Sequence, residues 1–283
     1  MTKLGGNFNI GNNLRVSRLG YGAMQLPGPG VWGPSPDPDN AKAVLRAALE
    51  LGIDFIDTAD SYGPDVADEL IHDALWPYPE QLVIATKTGL LRTGPGEWHP
   101  LARPEYIKQQ CEMSLRKLGV EQIQLFQLHR IDPLVPLEDQ VGTFKELQEQ
   151  GKIAHIGLSE VSVDEIKKAS QVAKIDTVQN LYNLGNRQSE EVLNYCQENQ
   201  IGFIPWFPIQ TGQLASGEGI LGKIASELGA TPAQVAIAWL LHKSPVMLPI
   251  PGTKSIAHLK ENVEAAEIEL SGEQMTLLDS VAK

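Results

Sequence analysis

Short apolar, β-branched runs recur along the whole chain, at Arg18–Met24, Ile53–Asp57, Leu82–Lys87, Ile123–His129, Ile153–Leu158, Thr177–Leu181, Ile201–Trp206 and Val246–Ile250. Each consists mostly of residues suited to burial on both faces, as strands of a parallel sheet are. Between these runs apolar positions recur at helical spacing: Ile107, Cys111, Leu115 and Leu118; Val141, Phe144 and Leu147; Val163, Ile166, Ala169 and Val172. Gly52, Gly119 and Gly151 follow helical patterns at C-cap positions. Strands alternating with helices in this number, over about 250 residues, match a (β/α)8 TIM barrel. A doubly wound open sheet shares the alternation and is the rival reading. Ahead of the first strand, Phe8–Ile10 and Leu14–Val16 flank Gly11-Asn12-Asn13, which predicts an N-terminal β-hairpin. Such a hairpin either closes the bottom of the barrel or hangs as a loose arm.

The connections Gln25–Asp37, Thr88–Arg103 and Phe207–Glu218 are unusually long and rich in Gly or Pro. All leave the C-terminal ends of strands, where barrel active sites are built, so they are expected to wall a pocket. Composition does not shift anywhere along the 283 residues, which favours a single domain spanning 1–283. At this length a folded surface of roughly 12,000 Å² replaces about 45,000 Å² in the unfolded chain, enough burial to dispense with disulfide or metal staples. Cys111 and Cys196 are in any case too few for a disulfide framework. The net charge of −12 argues against a nucleic-acid partner, which would require a basic stripe. The chain opens without a cationic patch followed by an apolar run, and no run approaches the ~20 residues of a membrane helix. A soluble, cytoplasmic protein is the expectation, with an oligomeric state that the pattern does not reveal.

Polar residues at the strand ends carry the chemistry. Asp57 ends the second run, Lys87 the third and His129 the fourth; Ser159 follows the fifth, Gln179 sits late in the sixth and Trp206 ends the seventh. A charge at the mouth of a buried strand costs free energy unless paired or solvated, and Asp57 and Lys87 on neighbouring strands can pair. Alone, that pair is as readily a structural ion pair as a functional one. Tyr62, in Asp57-Thr58-Ala59-Asp60-Ser61-Tyr62-Gly63, shifts the balance, because its loop can fold back beside Lys87. A nearby cation is expected to lower the phenol pKa from about 10 by roughly 1–3 units, towards the range useful for proton exchange. His129 then faces the same spot and can hydrogen-bond a substrate oxygen. This is a proton donor suited to reducing a carbonyl, with the hydride left to a cofactor.

These residues, with Arg18-Leu19-Gly20-Tyr21-Gly22, Ala85-Thr86-Lys87, Leu128-His129, Gly157-Leu158-Ser159, Val178-Gln179-Asn180, Pro251-Gly252-Thr253-Lys254-Ser255 and Glu261-Asn262, resemble the aldo-keto reductase family over nearly the whole chain. The resemblance implies a (β/α)8 barrel, NADP(H) as cofactor, and a tetrad of Asp57, Tyr62, Lys87 and His129 acting on a small-molecule carbonyl substrate. It assigns Ser159 and Gln179 to the nicotinamide carboxamide and Trp206 to stacking on the ring, though a Trp there is also a common core aromatic. Gly22, Phe207, Ile209, Gly252, Lys254, His258, Glu261 and Asn262 complete the implied cofactor contacts. Lys254, at the start of a helix opening near Ser255, is implied to hold the adenosine 2′-phosphate. His258 stands where many relatives carry an arginine. Glu160 stands where the family usually has asparagine; a carboxylate accepts from the carboxamide NH2 but cannot donate to its oxygen, so Glu160 is expected to turn away or supply half the clamp.

The segment Gly28-Pro29-Gly30-Val31-Trp32-Gly33 resembles the corresponding loop of bacterial pyridoxal reductases, which suggests pyridoxal as the substrate. Both it and Gly217–Gly222 satisfy GxGxxG. Pro34, Pro36 and Pro38 preclude the strand-to-helix turn of a dinucleotide fingerprint in the first, and the second lacks a following strand with a suitably placed acid. His72, His99, His155 and His242 show no metal-ligand spacing. Trp32 and Trp98 are candidate substrate contacts, with packing beneath their loops the equal alternative. A cofactor-sensing regulatory subunit with slow or no turnover is the alternative within the same fold.

Overall fold

The computed structural model describes residues 4–11, 13–207 and 219–281. Strands β1 (Asn7–Ile10) and β2 (Leu14–Ser17) form the antiparallel hairpin, which turns through Gly11 and Asn13, Asn12 lying outside the described residues. The hairpin is no loose arm. Phe8, Ile10 and Val16 are buried in the main core, and the Ser17 amide and hydroxyl donate to Asp54 at 2.8 and 3.0 Å. It plugs the bottom of the barrel.

The main sheet has seven parallel strands: β3 (Tyr21–Gly22), β4 (Phe55–Asp57), β5 (Val83–Thr88), β8 (Ile123–Leu128), β9 (Ile153–Ser159), β10 (Thr177–Leu181) and β11 (Gly202–Trp206), adjacent in that order. The eighth run does not form a regular strand. Its bonding still closes the barrel: Phe203 N donates to Val246 O (2.8 Å), Leu248 N to Phe203 O (2.7 Å), and Gly20 N to Pro249 O (3.0 Å). Pro245, Pro249 and Pro251 carry no amide hydrogen, so this segment cannot sustain a full ladder on either side. The result is a (β/α)8 barrel with one irregular stave.

The helices are α1 (Pro38–Glu50), α2 (Val66–Leu75), α3 (Pro104–Leu118), α4 (Leu137–Glu149), α5 (Val163–Ser170), α6 (Glu190–Glu198), α7 (Gly219–Leu228), α8 (Pro232–Lys243), α9 (Ile256–Glu264) and α10 (Gly272–Asp279). Local chemistry sets their ends. Ser162 and Glu165 form a capping box on α5, and Gly119 closes α3 at φ +67°, a conformation glycine adopts without a Cβ penalty. Helix α8 is apolar nearly all round because it is buried from Val235 to Leu241. Among the described residues no single helix is long and apolar enough to cross a membrane.

The Thr88–Arg103 connection, expected as a loop, folds as a hairpin of β6 (Leu90–Gly94) and β7 (Glu97–Pro100) that turns at Pro95-Gly96. Inside the barrel Gly157 is a packing requirement. A Cβ there would meet Thr177 Oγ1 at 2.3 Å and Gln127 Cγ at 2.8 Å, so the glycine makes room for the Gln127 side chain to cross the barrel interior. Gly157→Ala is expected to destabilise the fold by about 1–3 kcal/mol through overpacking. Thermal denaturation checks this; an unchanged Tm contradicts it.

Candidate active site

Every parallel strand ends at the same mouth, and the chemistry-bearing residues stand there. Asp57 ends β4, Lys87 is next to last in β5, His129 follows β8, Ser159 ends β9, Gln179 is in β10 and Trp206 ends β11. The turn after β4 brings Tyr62 back over them, with its amide donating to Ala59 O at 3.0 Å.

Lys87 has no exposed surface, and its ammonium donates to Asp57 Oδ1 (2.6 Å), Thr58 O (2.8 Å) and the Tyr62 phenol oxygen (3.2 Å). All its N–H bonds are thereby used. Asp57 Oδ2 accepts from Gln127 Nε2 (3.0 Å) and Gln179 Nε2 (2.9 Å), so the buried pair is satisfied on both sides. His129 packs edge-on against the Tyr62 ring, with centroids 5.9 Å apart, and its Nδ1 lies 3.2 Å from Ser61 Oγ. Assigning the Ser61 hydroxyl as donor to Nδ1 puts the ring proton on Nε2.

Burial, with the charges of Lys87, Arg130 and Arg92, holds His129 well below the usual histidine range, so it is a neutral ring. Burial pulls Lys87 down, but Asp57 and Tyr62 more than restore it, leaving its pKa raised and the ammonium charged. The expected acidification of Tyr62 is not found. Burial raises the phenol by more than Lys87 lowers it, and Asp57 adds to the rise. Tyr62 is therefore fully protonated at neutral pH. Because it accepts from Lys87, its own proton is free to be given away.

Two connected lobes open beside Tyr62, sharing Met24, Tyr62, Gln179 and Trp206. One, of about 260 Å³, is lined further by Gly22, Asp57, Phe207, Ile250 and Gly252. The other, of about 480 Å³, reaches Leu90, Trp98, Pro100, His129, Arg130 and Ser159.

Residues 18–283 match the sequence model of the aldo/keto reductase family. The chain belongs to that family. It is 49% identical to an uncharacterized oxidoreductase of Schizosaccharomyces pombe, over 98% of this chain and 90% of that protein. It is 40% identical to pyridoxine 4-dehydrogenase of Escherichia coli, over 98% of each. Among solved structures it resembles an aldo-keto reductase from Klebsiella pneumoniae in complex with NADPH, at 27% identity and a TM-score of 0.83, covering 98% and 94% of the two chains.

Within this aldo-keto reductase the expected site residues fall into distinct groups. Asp57, Tyr62, Lys87 and His129 form one contact cluster. Gly22, Gln179, Trp206, Phe207 and Gly252 line the smaller lobe, and Ser159 and Trp98 the larger. Lys254 and His258 are exposed where α9 begins, and Glu261 and Asn262 follow on that helix. Ile209 lies outside the described residues, as does the start of the second GxGxxG segment. Trp32 is not among the lining residues of either lobe; it packs over the Arg92 guanidinium at 5.6 Å. Glu160 turns its carboxylate to the Trp206 indole and the Leu181 amide.

Sequence reasoning missed Arg92 and Gln127. Arg92 donates to Val31 O, Gly30 O, Ser61 O, Gly94 O and Glu97 O and stacks on Trp98 at 3.5 Å, tying three loops over the mouth. Nothing local marks it, because all its hydrogen-bond partners are backbone carbonyls, which carry no side-chain signature, and Gly30, Val31 and Ser61 among them belong to distant segments. Gln127 carried the signal that identified Gln179, a polar residue inside an apolar strand.

Beneath this cluster Asp68 accepts from Thr58 Oγ1 at 2.7 Å, and burial pushes its carboxyl up to about 7. An unfolded aspartate ionises near pH 4, so between about pH 4 and 7 the folded chain holds a proton that the unfolded chain releases. This residue's share of stability therefore falls as pH rises through that window. Asp68→Asn is expected to flatten the fall; denaturant titrations of both proteins from pH 4.5 to 7.5 measure the difference, and parallel profiles contradict it.

Proposed function

We propose that this enzyme reduces an aldehyde or ketone with NADPH, Tyr62 giving the proton. The observation that carries the reading is a protonated phenol in contact with a buried ammonium where two lobes meet, which together suit a cofactor ring and a substrate.

The residues fit a nicotinamide. Gln179 Nε2 is committed to Asp57, which leaves its carbonyl oxygen to accept from the carboxamide NH2. Ser159 Oγ accepts from Arg130 at 3.1 Å, which leaves its own proton to donate to the carboxamide oxygen. The half-buried Trp206 supplies a flat wall. Gly22, Phe207 and Gly252 shape the rest, and Lys254 and His258 at the exposed start of α9, with Glu261 and Asn262 further along it, suit the phosphate-bearing adenosine end. When bound, the cofactor supplies hydride to the carbonyl carbon. His129, neutral and protonated on Nε2, donates a hydrogen bond to the carbonyl oxygen and orients it. Tyr62 transfers its proton to that oxygen, and Lys87, held by Asp57, stabilises the phenolate left behind. Trp98, Leu90 and Pro100 give the larger lobe an apolar wall suited to a small ring. The E. coli relative named for pyridoxine oxidation supports pyridoxal as substrate, since alcohol oxidation and aldehyde reduction are one reversible reaction.

Purified protein assayed for NADPH consumption against an aldehyde panel tests this; turnover of simple aldehydes with none of pyridoxal removes the substrate assignment. Tyr62→Phe is expected to lower kcat/KM by roughly 10²–10⁴-fold while NADPH still binds. Retained turnover in that variant contradicts the role given to the phenol. Lys254→Ala is expected to raise the Kd for NADPH about tenfold, through loss of a charged phosphate contact, and to leave NADH nearly unchanged. Equal losses for both cofactors contradict the 2′-phosphate assignment.

A further inference from the structure

Glu160 occupies a backbone conformation that a non-glycine residue rarely adopts, φ +55°, immediately after β9. Such a conformation persists only where the surroundings impose it. Here they do. Its amide donates to Gln179 O at 3.0 Å, and its Oε1 accepts from both Leu181 N and Trp206 Nε1 at 2.6 Å. Leu181 ends β10 and Trp206 ends β11, so one carboxylate oxygen binds the ends of two neighbouring strands to the end of a third. The Trp206 indole, exposed on the side of the lobes, is held by this bond at its edge.

The carboxylate also brings charge. Arg130 is the cation nearest in function: its Nη1 donates to His129 O (2.6 Å) and Ser159 Oγ (3.1 Å). Among the described residues Glu160 makes no ion pair within 4.0 Å, but its charge reaches the Arg130 guanidinium and raises that group's pKa against the effect of burial. A nicotinamide stacked on Trp206 lies beside that charge. The ring is neutral when reduced and positive when oxidised, and a nearby negative charge attracts only the latter.

Resting on the assignment of Trp206 to the nicotinamide, we propose that Glu160 is a positioning residue that fixes the Trp206 plane and, by its charge, favours the oxidised cofactor over the reduced one. A site that favours the oxidised cofactor favours reduction of the carbonyl on the enzyme. Glu160 thus biases the direction of the bound reaction, which an uncharged asparagine at this position cannot do.

Two variants separate the two parts. Glu160→Gln keeps a carbonyl oxygen to accept from Trp206 and removes the charge; Glu160→Leu removes both. Calorimetric titration with NADPH and with NADP+ gives the ratio of the two dissociation constants in each protein. The indole N–H resonance of Trp206, assigned by its loss in Trp206→Phe, reports the tether independently of turnover. Glu160→Gln is expected to weaken NADP+ roughly tenfold relative to NADPH with the indole proton still protected. Glu160→Leu is expected to show the same altered ratio, weaker binding of both forms, and rapid solvent exchange of that proton. An unchanged ratio in Glu160→Gln overturns the charge effect, and a protected indole proton in Glu160→Leu overturns the tether. If Trp206→Ala binds NADPH as tightly as the parent, the cofactor assignment itself fails, an outcome distinct from either.

Discussion

The buried contact between Lys87 and Asp57 is the constraint on which the barrel mouth is built. An ammonium with no exposed surface is tolerated only when its charge and every N–H are matched, because desolvation costs several kcal/mol per ion. The match draws on Asp57 and Thr58 from the neighbouring strand and on the Tyr62 phenol above. The free oxygen of Asp57 must be matched in turn, and Gln127 and Gln179 reach it from β8 and β10. Four strands are thus joined through one carboxylate and one ammonium. The missing side chain at Gly157, whose place Gln127 and Thr177 take, belongs to the same solution.

The same burial decides the protonation states. Asp60 is held well above the usual carboxylate range, chiefly by desolvation, and Asp68 near neutrality, while Asp57 makes the 2.6 Å contact with Lys87. His129 is kept neutral and Tyr62 protonated. A proton donor needs to be loaded before it needs to be acidic. As the proposed donor, Tyr62 meets that condition because the cation beside it offsets burial without overcoming it, and on that proposal the same cation stabilises the anion left behind.

Around this centre the mouth is held by side chains that reach across loops. Arg92 gathers the segment after β3, the loop of Tyr62 and the β6–β7 hairpin by donating to their carbonyls. Tyr21, buried in β3, donates to Thr253 O at 2.8 Å and fixes the segment that leads into α9. Asn40 donates to Lys254 O at 2.8 Å from the start of α1. Each long connection is therefore anchored at points that its own sequence does not mark.

Periodicity and strand-end chemistry determined a good deal. Each of the seven regular strands falls on one of the apolar runs, though β3 keeps only Tyr21–Gly22 of Arg18–Met24, because a strand covered on both faces must be largely apolar. Asp57, Lys87, His129, Ser159, Gln179 and Trp206 were legible as polar or aromatic breaks at the ends of those runs, and parallel strands necessarily bring such ends to one face. The eighth run read as a strand because composition does not show how three prolines thin a ladder. Local sequence also could not show that Thr88–Arg103 pairs with itself, that Arg92 binds three loops, or that Trp32 packs on Arg92. Nor could it settle the Tyr62 pKa, which depends on the balance of burial against a neighbouring charge, or the direction taken by the Glu160 carboxylate. The sequence by itself determined which residues are apolar, charged or able to hydrogen-bond, and their order along each element. Tertiary structure alone decided distance and desolvation, because both arise from residues far apart in the chain.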